Sequence, residues 1–342
     1  MGITTDVWVP VAGRYCQMKI LVVGGAGYIG SHMVKLLLSA GHDVSVLDNL
    51  SSGRREAVLG ADFFQGDIAD MPLLERLFSR HRFDGVMHFA SFIQVGESVQ
   101  HPMKYYRNNF ANTLTLMDAM VANGITHFIF SSTAAIFGEP QYVPINEDHP
   151  RRPTNPYGRT KLMVEEALAD YERAYGFKSV CLRYFNAAGA DPAGQLGECH
   201  DPETHLIPLL LQVASGRRDH MQIFGRDYDT PDGTCIRDYI HVEDLCQAHL
   251  LALGHLMSTG KSDAFNLGNG LGFSVQEVVD AVEHVTRKKL HVRDAPRRAG
   301  DPARLVADSA RMRQTLGWTS KYTDLNTIIT HAWAWEKKQS SK

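Results

Sequence analysis

From Lys19 onward, short apolar runs alternate with longer stretches that are apolar on one helical face. After its first lysine, "KILVV" has no polar alternation, the mark of a strand covered on both faces. The next stretch predicts a helix from about Tyr28 to Ala40, stopped by Gly41. "DVSVLD", "ADFFQGD", "FDGVMHFA" and "THFIFSS" read as the second to fifth strands, with amphipathic helices between them. A helix starting near Pro156 leads to a sixth strand, "SVCLRYFN". Repeated strand–helix–strand units predict an α/β fold with a doubly wound parallel sheet, a Rossmann arrangement.

The rhythm breaks after Asn186. Residues 187–203 are rich in Gly, Pro and Asp and read as a loop, followed by a helix from Leu206 to Ser215. "DYIHVEDLCQAHLLAL" reads as helix and "DAFNLGN" as strand, and both could return to the first domain. "SVQEVVDAVEHV" and "LNTIITHAWAWEKK" predict further helices, and "KQSSK" a polar tail. The expected organisation is a tail over 1–17, then a nucleotide-binding domain over 18–186 with returning segments near 239–270. A smaller mixed α/β substrate domain takes 187–238 and 271–342.

Composition narrows the class. The 342 residues are 44% hydrophobic and 21% charged, values of an ordinary globular protein. A net charge of -3 offers nothing global to nucleic acid or acidic membrane. No apolar run reaches the roughly 18 residues of a membrane span. The five cysteines are odd in number and form no CxxC, which argues against a disulfide framework or zinc knuckle and for a reducing, cytoplasmic compartment. The sixteen histidines form no HExxH and read as scattered imidazoles, so no metal site is expected. Residues 1–17 lack the charged start and apolar core of a signal peptide. They read as a loose tail or a short edge strand, and Met18 could itself open the functional chain.

"VVGGAGYIG" sets Gly24, Gly27 and Gly30, with Tyr28 and Ile29 among them, between a buried strand and a helix. Glycines there let backbone N–H groups approach a pyrophosphate at the helix start. Asp48, followed by Asn49, ends the second strand, near the roughly 20-residue spacing of a ribose-binding acid. Such a carboxylate accepts from both ribose hydroxyls and repels a 2′-phosphate, which selects NAD over NADP. A structural glycine turn with Asp48 as a cap is the alternative. Asp67 and Ile68 end the third strand, where they could hold the adenine edge; Asp67 could equally be a cap.

In "NPYGRTK", Pro156 suits a first helical turn, and Tyr157 and Lys161 share a face at i and i+4. Alone these would be an ordinary solvated pair. The fifth strand, however, ends in Ser131, Ser132 and Thr133, at the sheet edge where such folds bind ligands. A hydroxyl, a phenol and an ammonium beside a nicotinamide form a proton-transfer site next to a hydride acceptor. Lowering a tyrosine pKa by about three units takes roughly 4 kcal/mol. One positive charge about 6 Å away supplies roughly 3 kcal/mol at an effective dielectric of 20. Lys161 and an oxidised nicotinamide together are therefore expected to make Tyr157 acidic.

These residues resemble the extended short-chain dehydrogenase/reductase family, and within it the UDP-glucose 4-epimerases. The resemblance covers about residues 18–336 and rests on "GGAGYIGSH", "DNL", "VGESVQ", "YYRNN", "PYGRTKLMVE", "LRYFNAAGA", "GTCIRDYIHVEDL" and "RRAGDPA", in that order. It implies that Tyr157 takes a proton from the sugar 4-hydroxyl, that Thr133 holds the reacting oxygen, and that Lys161 also binds the nicotinamide ribose. The sugar passes through a 4-keto form, turns over and recovers its hydride from tightly held NAD. Phe89, Asn108, Ser131 and Tyr184 are implied in the cofactor pocket. Asn186, His205, Leu206, Arg237 and Arg298 are implied around the uridine diphosphate, Asp301 at its ribose, and Phe224 and Tyr239 near the uracil. Each has a plainer alternative: Arg237 paired with Asp238, Arg297 and Arg298 as a solvated turn, Asn186 as a loop cap, the aromatic residues as core.

Four positions depart from the family pattern. Val23 stands in place of a threonine, Ile93 of a lysine near the cofactor phosphates, and His205 of an asparagine on the diphosphate. Leu305 stands where a tyrosine excludes N-acetylated sugars, so UDP-GlcNAc and UDP-GalNAc become candidate substrates. UDP-pentose or UDP-glucuronate 4-epimerisation is the nearest rival. A 4,6-dehydratase would need an acid and a base after Thr133, where Ala134 and Ala135 stand. A non-catalytic NAD-binding regulator sits poorly with an intact Thr133–Tyr157–Lys161 set. The resemblance also implies a homodimer through residues 102–122 and 156–175.

Overall fold

Six apolar runs become the strands β1 (Lys19–Val23), β2 (Asp43–Asp48), β3 (Asp62–Gln65), β4 (Gly85–His88), β5 (His127–Thr133) and β6 (Lys178–Tyr184). The computed structural model describes residues 17–298 and 300–340, so the expectations for residues 1–16 lie outside the described residues. Eight shorter or later strands follow. They are β7 (Asn186–Ala188), β8 (Met221–Phe224), β9 (Ile236–Arg237), β10 (Tyr239–His241), β11 (Asp263–Leu267), β12 (Phe273–Ser274), β13 (Val292–Ala295) and β14 (Arg304–Leu305). Seven strands form one parallel sheet in the order β11-β6-β5-β4-β1-β2-β3. The direction of winding reverses between β1 and β4, which opens a crevice at their carboxyl ends.

The helices are α1 (Tyr28–Ser39), α2 (Met71–Arg80), α3 (Val95–Gln100), α4 (Pro102–Tyr105), α5 (Asn112–Ala122), α6 (Pro156–Tyr175), α7 (Leu206–Ser215), α8 (Val242–Thr259), α9 (Val275–Thr286), α10 (Ala310–Leu316) and α11 (Leu325–Ser340). Ile20 and Val22 point to one sheet face, where α1 and α8 add Met33, Leu37, Leu245 and Leu253. Leu21 and Val23 point to the other, against Leu74 of α2, Leu116 of α5 and Val164 of α6. Ile20, Leu21 and Val22 are wholly buried. Each such side chain contributes about 1.5–3 kcal/mol, which explains the unbroken apolar runs. A separate core joins α7, α9 and α11 through Leu210, Val282 and Ile328.

The expected return of "DAFNLGN" to the sheet is met, because β11 pairs with β6. Three details differ from the sequence reading. The helix expected from Asp238 starts only at Val242, capped by the His241 imidazole that accepts from Glu243 N at 3.1 Å. The residues before it form β10, which pairs in parallel with β7 inside the expected loop. The expected polar tail instead continues α11 to Ser340, and Lys338 Nζ donates to Gly194 O at 2.6 Å. Among the described residues, no helix is long and apolar enough to cross a membrane.

Candidate active site at the carboxyl edge of the sheet

The turn after β1 shows why three glycines are spaced as they are. Gly24 has φ +79°, and a Cβ there would lie 2.6 Å from Ala90 N. A Cβ on Gly30 would lie 2.1 Å from Gly24 O, so that glycine lets α1 pack against its own turn. Gly27 differs: its Cβ would meet Gly24 O at 3.4 Å and otherwise open space. The α1 N-terminus has no side-chain cap and no acidic residue in its first turn. Its free N–H groups and positive dipole end therefore face a space that a methyl at 27 would enter, and that space suits a pyrophosphate. Ile29 packs partly buried on the core beneath, and the Tyr28 hydroxyl donates to Gly189 O at 2.8 Å.

Asp48 is 8% exposed and accepts from Ala26 N at 2.9 Å and Leu50 N at 2.8 Å. It thus holds the glycine turn as well as facing the crevice, and burial pushes its pKa up. Asn49 Nδ2 donates to Asp67 Oδ2 at 2.7 Å, while Asp67 Oδ1 accepts from Ala69 N at 2.8 Å. The capping alternative for Asp67 is therefore present, joined to Asn49. Ile68 is buried in the core. Val23 is buried too, while Ile93 is exposed.

Helix α6 begins with Asn155, whose Oδ1 accepts from Gly158 N at 2.9 Å, and Pro156 in the first turn. Tyr157, Lys161 and Glu165 then recur at i+4 along the face packed on the sheet. The Tyr157 phenol lies by the Thr133 hydroxyl at the end of β5, whose influence lowers its pKa. Lys161 Nζ donates to Ser91 Oγ at 2.8 Å and Ser131 O at 2.7 Å, over the Phe130 ring at 4.7 Å. Glu165 accepts from Ser132 Oγ at 2.6 Å and from Arg183 Nη2 at 2.7 Å. Both members of the Glu165–Arg183 pair are buried, so this network fixes the helix against β5 and β6.

Burial pushes the Tyr157 phenol up, opposed by the Thr133 hydroxyl. Burial also lowers Lys161 to about 7, with Glu165 pulling it back up. In the protein alone the ammonium donates to Ser91 and Ser131.

The pocket members from the resemblance gather nearby. Ser131 Oγ lies 3.1 Å from His249 Nε2, and the Phe89 and Tyr184 rings lie 5.1 Å and 6.1 Å from that of His249. Asn108 sits on the π-helical turn Tyr106–Ala111, its Nδ2 on Asn109 Oδ1 at 2.9 Å. Ser91, Glu165, Arg183 and His249 were not singled out from sequence. Glu165 alone had a legible signal, the continued i+4 stripe.

On the other side of the crevice, Arg237 Nη2 pairs with Asp301 Oδ1 at 2.7 Å and Nη1 donates to Pro302 O at 2.8 Å. Asp238 is not its partner. That carboxylate is wholly buried and accepts from the N–H groups of Asn269, Gly270 and Ala307. Arg297 and Arg298 are both exposed, as the solvated-turn alternative has it, yet Arg298 lies 3.9 Å over Phe224 and Arg297 4.2 Å over Tyr228. Asn186 bonds Asp238 O through Nδ2 at 3.1 Å. Leu305 stands beside Arg237 in the β14–β9 register and packs on the cluster of Ala134, Ile136 and Phe137. His205 caps α7, and Leu206 is its first residue. Glu198 and Glu203 hold the His205 imidazole as a cation, pushed up to about 10. Tyr239 is 5% exposed within the core of α7, α9 and α11, which is its plainer alternative.

A phenol at the end of a doubly wound sheet, one strand from a dinucleotide cradle, is the arrangement of a short-chain dehydrogenase/reductase. The chain belongs to the NAD dependent epimerase/dehydratase family, which matches residues 20–268. It is 53% identical over 321 residues to a UDP-glucose 4-epimerase of Halalkalibacterium halodurans, covering 94% of this chain and 96% of that protein. The crystal structure of UDP-glucose 4-epimerase from Brucella ovis in complex with NAD superposes with TM-score 0.90 at 50% identity, covering 92% of this chain and 97% of that one. The UDP-Glc/GlcNAc 4-epimerase of Campylobacter jejuni superposes with TM-score 0.83 at 47% identity, covering 94% and 99%.

Proposed function

We propose that the protein is an isomerase, an NAD-dependent 4-epimerase that interconverts UDP-glucose and UDP-galactose. The Tyr157 phenol set by the Thr133 hydroxyl at the carboxyl edge of the sheet, with Lys161 one turn on along α6, is the observation that carries this reading. Identity of about half over nearly the whole chain to UDP-glucose 4-epimerases supports it. Bound NAD supplies reversible hydride acceptance next to the sugar's fourth carbon. Tyr157 removes the proton of the 4-hydroxyl and later returns it, while Thr133 holds that oxygen in place. Lys161, fixed by Ser91 and Ser131, lies under the nicotinamide ribose. Asp48 selects the unphosphorylated adenosine ribose, and Asn49, Asp67 and Ile68 border the adenine. Arg298, His205 and Asn186 hold the diphosphate. The Arg237–Asp301 pair addresses phosphate and uridine ribose together, with Phe224 near the uracil.

Ala134 and Ala135 leave no acid or base for elimination, which favours epimerisation over dehydration. Leu305 beside Ala134 leaves room that a tyrosine would fill, so UDP-GlcNAc and UDP-GalNAc belong to the substrate range. The same reading divides the chain into the nucleotide-binding and substrate domains set out from sequence. It places the protein in the cytoplasm and pairs two copies through residues 102–122 and 156–175. The exposed Val99 and Met103 beside α4 support that pairing face. The test is conversion of UDP-galactose to UDP-glucose by purified protein with no added redox substrate. Absence of conversion by protein that carries NAD overturns the proposal.

A further inference from the structure

Four side chains of one loop converge, the two carboxylates buried and the His205 imidazole 38% exposed. Glu198, His200, Glu203 and His205 each present one donor atom, and the four atoms lie within 4.8 Å of one another. The two imidazoles converge on one oxygen: His200 Nδ1 lies 2.9 Å and His205 Nδ1 2.7 Å from Glu198 Oε1. His205 Nδ1 also lies 3.0 Å from Glu203 Oε1. The loop backbone is held independently of these contacts. Trp335 Nε1 of α11 donates to Glu198 O at 2.9 Å, and a Cβ on Gly197 would lie 2.3 Å from the same indole.

The charges are what need explaining. The Glu198 and Glu203 side chains are only 6% and 5% exposed. Two buried carboxylates this close require positive charge. Among the described residues, their ion pairs are to the two imidazoles alone, with no lysine or arginine. Glu203 Oε1 also accepts from Thr204 N at 2.7 Å and His205 N at 2.8 Å, yet the His205 cation balances only one of the two carboxylates, whereas a divalent ion at the centre would replace its Nδ1 proton and meet all four groups.

We propose that Glu198, His200, Glu203 and His205 bind a divalent transition-metal ion such as zinc, which pins residues 198–205 to the start of α7. Two imidazole nitrogens and two carboxylate oxygens suit tetrahedral zinc at about 2.0–2.2 Å per ligand. That geometry sets donors about 3.3 Å apart, so the pairs now at 2.7, 2.9 and 3.0 Å would open slightly while the widest, up to 4.8 Å, would close by about 1.5 Å. Coordination through Nδ1 leaves Nε2–H of His205 as a donor for a phosphate, so the metal would fix its orientation without removing that use. The spacing ExHxxExH matches none of the common zinc motifs, which is why the sequence reading expected no metal. The His200 ring meets Tyr28 edge-on at 6.4 Å, so the loop bridges the starts of α1 and α7. The metal takes no part in the proton or hydride transfer; through His205 it touches only the diphosphate subsite of the proposed function.

The experiment uses the full chain, stripped with chelator and titrated with cobalt(II), then zinc(II). The expected result is one tetrahedral cobalt spectrum per chain, bleached by zinc. His200→Gln and Glu198→Gln should each weaken binding about 10–100-fold. On wild-type protein, zinc should shield His200 and His205 from acylation, mapped by mass spectrometry. This reading survives a variant that fails to fold. No cobalt band, unchanged affinity in folded variants, or shielding confined to other histidines would overturn the proposal.

Discussion

Replacing Gly27 by alanine separates cofactor binding from folding. Gly27 has φ -79° and ψ -179°, a conformation that alanine adopts without strain. Its Cβ would touch only Gly24 O, at 3.4 Å. The cofactor-free fold should therefore be unharmed, or gain up to about 1 kcal/mol from a stiffer unfolded chain. The methyl instead fills the space into which the α1 N–H groups point. Losing one hydrogen bond to a charged phosphate costs about 1.5–3 kcal/mol, or roughly 10–150-fold in NAD affinity. Gly30→Ala is the control. Its Cβ would lie 2.1 Å from Gly24 O, so it should destabilise the fold itself by about 1–3 kcal/mol. Thermal melts of stripped protein and NAD titration by calorimetry measure the two effects. A Gly27→Ala protein that binds NAD as tightly as wild type would refute the placement of the pyrophosphate at this turn.

Three further outcomes follow from the geometry. Glu165→Gln leaves Arg183 buried without its carboxylate and should cost about 3–5 kcal/mol in denaturant melts; a loss under 1 kcal/mol would contradict the network. Lys161 is held near 7 against an ordinary 10.5, so between those values the unfolded chain binds more protons and stability rises with pH. Stripped protein should gain about 2–3 kcal/mol from pH 7 to about 9.5, and Lys161→Met should lack that gain; parallel pH curves would refute it. Leu305→Tyr should lower kcat/KM for UDP-GlcNAc at least about tenfold while sparing UDP-glucose, and equal effects on both would remove Leu305 from the sugar pocket.

The sheet was legible because its strands are buried on both faces, and the apolar runs of β1, β2 and β5 have no other use. The short strands were not. A three-residue strand such as Tyr239–His241 exists only because Asn186–Ala188 lies beside it, and "YIHVEDL" alone fits a helix equally well. The glycine turn, Asp48 and the Tyr157–Lys161 spacing were readable because the spacing itself performs the chemistry. The surroundings of Tyr157 were not, since they depend on burial and on where Lys161 spends its hydrogen bonds. The partner of Arg237 was missed for a related reason. The adjacent Asp238 faces the core, and Asp301 arrives from a distant turn.

Kinetics of Tyr157→Phe in NAD-loaded protein probe the core of the mechanism. The variant should fold and keep its NAD, because the ring stays in place. Its turnover of UDP-galactose should fall about 10²–10⁴-fold, the usual contribution of a positioned proton-transfer group. Reduction of bound NAD on adding UDP-sugar should slow in step. Full turnover with the hydroxyl gone would mean that another group moves the proton, and that the phenol at the end of β5 is only a neighbour of the reaction.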